Sequence, residues 1–305
     1  MSDDRYPALP DAVRADIDAA RRLEGWSLFW LASIVAVMYL AMGSSQAMKA
    51  AWVEDLLSVV PPVLFLIATQ VERRAPTDAF PLGLHRGGTL AFFLSAVSLA
   101  ALGGFLVYEA AKTLLAREHP TIGSVELLGQ QVWQGWVMIA ALAYSAVPPV
   151  ILGIRKRRLA KRIADQVLWT DAQANAADWK TALAGIVGIL GVGMGWWWAD
   201  AVAAGIIGLD ILRDGINACR AAVYALLDGA PRELGGKRLH PAVGRADKRW
   251  GGRAVLRETG RYVRVVTREG ERVVPDAGDA TALMGEGEAW RVVGAPPVAP
   301  PQSAS

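Results

Sequence analysis

The apolar residues of this chain are gathered into long blocks separated by short polar connections, and this pattern limits the fold more than any other feature. A transmembrane helix needs about 20 apolar residues. The chain has 305 residues, of which 53% are hydrophobic, and this composition is too apolar for an ordinary soluble domain. The sequence therefore predicts an all-α membrane protein with six transmembrane helices. These cover roughly residues 25–43, 48–71, 88–115, 131–153, 163–197 and 199–227.

Basic residues indicate the orientation of these helices, because cytoplasmic connections carry an excess of lysine and arginine. Four regions are rich in them: the segment before helix one, the 2–3 connection, the 4–5 connection, and the stretch after residue 230. The sequence thus predicts an integral protein of the cell inner or plasma membrane with both termini in the cytoplasm. The basic runs lack interleaved aromatic residues and adjoin membrane helices, so no nucleic-acid partner is predicted.

The polarity of the chain divides it into four regions. Residues 1–22 read as a cytoplasmic amphipathic lead-in, 23–228 as a six-helix transmembrane domain, 229–294 as a small cytoplasmic domain, and 295–305 as a disordered tail.

Within the small domain, an alternating pattern predicts short strands, and the rest is predicted to be loop. The strands are 254–258, 262–267 and 271–274, with a turn at Glu269-Gly270 and a possible fourth strand at Trp290–Val293; residues 236–253 read as a basic loop. In the membrane, helix three is uniformly apolar and is expected to face lipid.

Polar residues within the fifth apolar block indicate a functional site. At about 100° per residue, Asn175 lies about 40° from Asp171, and Asp178 lies about 20° from Asp171 on the other side, so the three share one helix face. Ionisable groups inside a bilayer are costly and usually functional. We read this face as an ion site.

Helix two offers the matching carboxylates. Glu54 and Asp55 precede Pro61-Pro62, which remove backbone donors and predict a kink. An alternative places both acids at the outer interface, paired with Lys49. The single cysteine, Cys219, excludes an internal disulfide and a cysteine-based metal site.

Two motifs then resemble those of the cation diffusion facilitator family of divalent-metal/proton antiporters. One runs from Ala199-Asp-Ala201 through Leu227-Asp228 to Pro231, and the other is Phe80-Pro-Leu-Gly followed by Arg86. The resemblance covers about residues 20–231. It implies six helices, both termini inside, a cytoplasmic ferredoxin-like domain, here reduced to a small α/β unit, and a homodimer.

The resemblance also implies where a metal site would lie. The family's pair of acids on helix two falls on Glu54 and Ser58, and its His-x-x-x-Asp on helix five falls on Ala174 and Asp178. The C-terminal region lacks a clear helix and any cluster resembling the family's cytoplasmic metal site.

Combining position and resemblance, we predict a first shell of Glu54 or Asp55 with Asn175 and Asp178. Asp171 lies about 10 Å from Asp178 along a regular helix and is predicted to be a cytoplasmic-side relay or entry ligand. Because every candidate ligand offers oxygen, manganese or ferrous iron is favoured over zinc as the transported ion, with protons as counter-ion and no resident cofactor.

Three functions compete at this point. The leading one is divalent-cation efflux by metal/proton antiport with alternating access, which is not an enzymatic activity. A second is a non-transporting family relative that acts as a membrane scaffold or interaction protein. A third, an intramembrane aspartyl hydrolase, is disfavoured because Gly208-Leu209-Asp210 is only a partial Gly-x-Gly-Asp motif.

Overall fold

Seven long helices form the body of the protein. The computed structural model describes residues 9–43, 45–74, 76–80, 83–117, 122–127, 130–236, 238–267, 272–273 and 275–293. Within these ranges the helices are α1 (Asp11–Ala41), α2 (Gln46–Leu57), α3 (Val60–Glu72), α4 (Gly87–Leu115), α5 (Gln134–Ile163), α6 (Gln166–Gly193) and α7 (Ala199–Leu226). A two-stranded hairpin, β1 (Ser124–Leu127) and β2 (Gln130–Trp133), connects α4 to α5.

Five segments of the described chain are long and apolar enough to cross a membrane. They are α1, the combined α2–α3 segment, α4, α5 and α6. The sixth predicted span, α7, has a similar length but carries Asp200, Asp210 and Arg213 and is more polar than the other five.

The predicted lead-in is continuous with the first span, since α1 begins at Asp11 rather than near Trp26. Val13, Ile17 and Ala20 are buried and recur at helical spacing, so one apolar stripe continues through the polar stretch. The first eight residues and the predicted tail 295–305 lie outside the described residues.

The second span is broken in two, as its prolines predicted. Turn residues Ser58 and Val59 separate α2 from α3, and Pro61-Pro62 occupy the first turn of α3, where a proline needs no helical donor bond. The Ser58 backbone N–H and Oγ both donate to the Glu54 carbonyl oxygen, at 2.8 and 2.9 Å. The break therefore lies directly beside the predicted acidic pair.

Helices α4 and α7 approach each other most closely. A Cβ added at Gly103 of α4 would lie 2.3 Å from the Leu212 backbone nitrogen, and one at Gly215 of α7 would lie 2.4 Å from that of Ala100. The expectation that helix three faces lipid is wrong for this side of α4, because small residues allow it to pack along α7.

The C-terminal region is a small α/β unit. It contains α8 (Pro241–Trp250), β3 (Ala254–Thr259), β4 (Tyr262–Thr267), β5 (Arg272–Val273) and α9 (Ala277–Met284), and its antiparallel sheet has the order β3-β4-β5. The predicted strands at 254–258 and 262–267 are confirmed, and the third is confirmed at residues 272–273. The rest of the third strand and the predicted turn at Glu269-Gly270 lie outside the described residues.

Two helices in this unit contradict the prediction of a loop over 236–253 and of a domain without a clear helix. His240 caps α8 by accepting a bond from the Ala242 N–H at 3.1 Å, and Pro241 occupies the first turn. The predicted fourth strand is also wrong: Ala289–Arg291 form a 3-10 turn, and Val292 makes a single parallel bridge to Val263.

Candidate metal-ion site in the helix bundle

The predicted polar face of α6 is present and points into the protein. The side chains of Asp171 and Asn175 are buried, with only 2% and 3% of their surface exposed, and Asp178 is half-buried. Asn175 packs against α5, where a Cβ at Gly153 would be only 3.1 Å from the Asn175 Cβ. This glycine lets α5 and α6 come close enough to enclose the face.

The acids of α2 meet the far end of that face. Asp55 and Asp178 are close enough for their charges to interact, and Asp178 also interacts with Glu54. The Thr181 hydroxyl, three residues beyond Asp178, donates a hydrogen bond to Glu54 Oε1 at 3.4 Å. Glu54 and Asp55 thus face α6, which argues against an outer-interface pairing with Lys49.

One carboxylate oxygen in this group lacks a partner. Asp55 Oδ2 is buried and has no hydrogen bond within the described part of the protein. A buried carboxylate oxygen is costly unless it is paired or binds a cation. The exposed Asp210 of α7 adds a further negative charge that acts on Glu54.

Asp171 has a different partner, which the sequence did not predict. The Lys156 ammonium forms ion pairs with Asp171 and with Glu24, whose Oε2 lies 2.8 Å from Nζ. The Lys156 and Glu24 side chains are 0% exposed and that of Asp171 is 3% exposed. We call these three residues the lysine triad.

The sequence did contain a signal for the triad. Lys156 belongs to a basic run that reads as a connection, but it shares a helical stripe with the buried Gly153, Ala160 and Ile163. That spacing, rather than residue type, marks Lys156 as an inward-facing cation.

The predicted metal residues are therefore in two groups rather than one complete shell. Glu54, Asp55 and Asp178 lie together, Asp171 is paired with Lys156, and Asn175 lies one turn from each aspartate. Among the residues that the structure describes, no three His, Cys, Asp or Glu are placed so that they could hold a metal ion together.

A further aspartate, Asp200, positions α2. Asp200, at the start of α7, is buried and accepts bonds from Ser45 Oγ at 2.7 Å and from the backbone N–H groups of Gln46 and Ala47 at 2.5 and 3.2 Å. It satisfies donors that the first turn of a helix leaves free, so it anchors the acid-bearing helix to α7.

A bundle of apolar helices that buries facing carboxylates defines an integral membrane protein of the kind that handles cations. Residues 26–227 match the cation efflux transmembrane domain, and the chain belongs to this family. The expectation of a divergent cation diffusion facilitator is thereby confirmed, and membership places the chain with transporters rather than enzymes.

Curated relatives resemble the chain at low identity. A manganese efflux system protein of Bacillus subtilis, MneS, is 24% identical over 61% of this chain and 60% of its own length. An uncharacterized transporter of the same bacterium, YdbO, is 23% identical over 64% of each chain. An uncharacterized transporter of Methanocaldococcus jannaschii is 22% identical over 62% of each. The chain thus spans somewhat under two thirds of these relatives.

Proposed function

We propose that the protein exports a divalent metal cation from the cytoplasm in exchange for protons, by alternating access. The observation that carries this proposal is the buried, unpartnered Asp55 Oδ2, which lies beside Asp178 at a break in a membrane helix. Discontinuous helices free backbone carbonyls and commonly border ion sites in transporters. Carboxylates suit both roles, because a proton and a cation compete for the same oxygens.

In this proposal α7 is the sixth span and both termini are cytoplasmic. The C-terminal unit is a reduced counterpart of the family's ferredoxin-like domain, and the active form is a homodimer. The burial of α7 residues such as Ala203, Ile207 and Ala222 against neighbouring helices supports its place in the bundle despite its charges. Basic residues in the loop between the second and third spans and in the last turns of α5 support the orientation.

Manganese or ferrous iron is the substrate class that the ligands favour. Glu54, Asp55, Asn175 and Asp178 offer only oxygen, and oxygen ligands suit harder ions, whereas zinc sites typically include histidine or cysteine. The relative named for manganese efflux agrees with this proposal. The scaffold alternative leaves the unpartnered carboxylate without a role.

Flux into inside-out proteoliposomes tests the proposal. With an acidic lumen, and therefore an outward-directed proton gradient, we expect the wild-type vesicles to accumulate Mn²⁺. Asp178→Ala and Asp178→Asn should insert normally into the membrane but reduce the flux to background. Asp11→Asn removes the same charge at a side chain that is 99% exposed and should behave as wild type. Full activity in both Asp178 variants would refute the site. A wild-type protein that moves none of Mn²⁺, Fe²⁺ or Zn²⁺ would favour the scaffold.

A further inference from the structure

The lysine triad buries three charges that the proposed site does not use. Its members come from three helices: Glu24 from α1, Lys156 from α5 and Asp171 from α6. A buried ion pair stabilises a protein little compared with apolar residues of the same volume, because desolvation offsets the attraction. The triad is thus poorly explained by folding stability alone.

One lysine serves two carboxylates, and the pairing leaves a polar atom unused. Glu24 Oε1 is buried and makes no hydrogen bond among the described residues. If all three groups are charged, the triad has a net charge of −1. Lys156 could therefore release one carboxylate and still keep an ion pair with the other.

The triad is electrically connected to the candidate site. Asp178 interacts with the charges of both Asp171 and Lys156. Asp171 also lines a cavity that opens beside the α2–α3 break, together with Ser58, Ser95, Thr170 and Ala174. Ser95 Oγ is buried there without a hydrogen-bond partner in the described chain. Asp171 therefore lines a cavity next to the helix break that follows Glu54 and Asp55.

We propose that Lys156 is a resident counter-ion of Asp171 that the entering divalent cation displaces, and that Glu24 holds Lys156 when this happens. The inference rests on the proposed function, since it assigns a step to the same cation. Lys156 is here a positioning residue: it keeps Asp171 neutralised while the site is empty and limits how tightly a cation can bind.

Two substitutions change the competition in opposite directions. Glu24→Gln removes the second partner, so Lys156 stays on Asp171 and the cation must displace it without compensation. Mn²⁺ affinity should fall. The double variant Glu24→Gln/Lys156→Met removes the competitor and leaves Asp171 alone, with the net charge of −1 that the fully charged wild-type triad has. Mn²⁺ affinity should rise. We expect each shift to be at least about fivefold, the lower end of typical couplings between sites.

Calorimetric titration of the purified full-length chain in detergent with Mn²⁺, repeated with Zn²⁺, measures these affinities directly. Lys161→Met is the matched control, because Lys161 is exposed on the same helix and lies outside the triad. Each variant must elute as the wild type does in size-exclusion chromatography. If the triad were purely structural, the substitutions would reduce the folded fraction, but the Mn²⁺ affinities of Glu24→Gln and of the double variant would not shift in opposite directions.

Opposite shifts in Glu24→Gln and in the double variant establish the counter-ion role. Shifts in the same direction, or none, overturn it. If the wild type binds Mn²⁺ but does not transport it, the proposed function fails while the affinities still decide the role of Lys156. A chain that binds neither metal in any form overturns both.

Discussion

The resemblance to the family places Ala174 where a histidine would lie, so the proposed site has no nitrogen ligand at this position. Ala174 lies one turn before Asp178 and lines the same cavity as Asp171. Adding an imidazole there supplies the nitrogen ligand that zinc favours. We predict that Ala174→His moves transport preference towards zinc, measured by competition flux of Mn²⁺ and Zn²⁺ at matched free concentrations.

Gln173→His is the natural control for that experiment, since Gln173 is exposed and lies on another side of α6. It should leave the preference unchanged. A strong preference of the wild type for zinc would instead show that the oxygen-only shell is incorrect.

Glu288, outside the membrane helices, makes the C-terminal domain sensitive to acid. Burial raises the pKa of this carboxyl, but a hydrogen bond from His240 and the Arg291 guanidinium outweigh burial and lower the pKa from 4.5 to about 2. A depressed folded-state pKa stabilises the fold above the unfolded value, and that contribution is lost as the pH falls from about 4.5 to about 2.

We predict that Glu288→Gln destabilises the domain at pH 7 by on the order of 1–2 kcal/mol. This value is smaller than the pKa shift alone would give, because the side chain is 32% exposed and solvent screens its interactions. The cost should disappear near pH 2. Hydrogen exchange of residues 289–293, corrected for intrinsic rates, measures this in the full-length chain. Equal protection of wild type and variant at pH 7 would contradict the assignment.

Single residues also show what periodicity could and could not predict. The face of Asp171, Asn175 and Asp178 followed from helical spacing alone, because an isolated polar stripe in an apolar helix is unambiguous. Lys156 was hidden in a run of basic residues. Asp200 could not be assigned because its partners, the first N–H groups of α2, are about 150 residues away in the chain.

At the scale of helices, close packing of α4 on α7 depends on Gly103, whose Cα faces the Leu212 backbone. Gly104, the next residue, has open space around its own Cα. We predict that Gly103→Ala lowers the free energy of unfolding of the detergent-solubilised protein by about 1–3 kcal/mol, the typical cost of overpacking.

Gly104→Ala is the matched control and should be neutral or stabilising by up to about 1 kcal/mol, because alanine favours a helix more than glycine does. Unfolding followed by tryptophan fluorescence compares the two. Equal melting temperatures of the two variants would mean that α4 and α7 can move apart to accommodate the added methyl group without loss of stability.

The elements that the sequence predicted well are those with long, regular patterns. The apolar blocks predicted the ends of the membrane helices to within several residues, with two exceptions. Helix α1 extends through the polar lead-in, and α5 continues through the predicted basic connection to Ile163 instead of ending near residue 153. Helices α8 and α9 were missed because both are short and α8 is rich in charged residues. Only a few buried residues, such as Ala242 and Ala246 in α8, mark their inner faces. Their helical form depends on packing into the shared core of the domain, which a local pattern does not contain.

At the scale of the whole molecule, the C-terminal domain is attached to the helix bundle through the β3–β4 turn. Gly260 in this turn has a φ of +59°, and a Cβ there would lie 2.0 Å from the His85 carbonyl oxygen. His85 also makes an edge-to-face contact with Tyr262, with ring centroids 5.2 Å apart. The turn therefore packs directly on the connection between α3 and α4.

Arg261, next in the turn, contacts the ends of three membrane helices, α3, α5 and α6. Its guanidinium is 3.1 Å from Glu72 at the end of α3 and 2.8 Å from Asp165, which caps α6, and it donates to the Ile163 carbonyl at 3.1 Å. Burial lowers the pKa of Arg261, but the carboxylates outweigh burial and raise it, so the side chain remains charged. Arg291 fixes the turn from behind by donating to the Arg261 carbonyl at 2.8 Å.

This arrangement links the domain to the two spans that carry Glu54, Asp55 and Asp178. We predict that Arg261→Ala releases the turn, because it leaves two carboxylates without their cation, and breaking a buried pair typically costs about 3–5 kcal/mol. Hydrogen exchange should rise at 259–263 and at 163–168 together. Arg261→Lys keeps the charge but cannot make all three contacts, so its exchange should be intermediate. Arg253→Ala, an exposed arginine of the same domain, should leave exchange unchanged. Faster exchange in the domain alone, with 163–168 still protected, would show that Arg261 does not hold the α5–α6 connection.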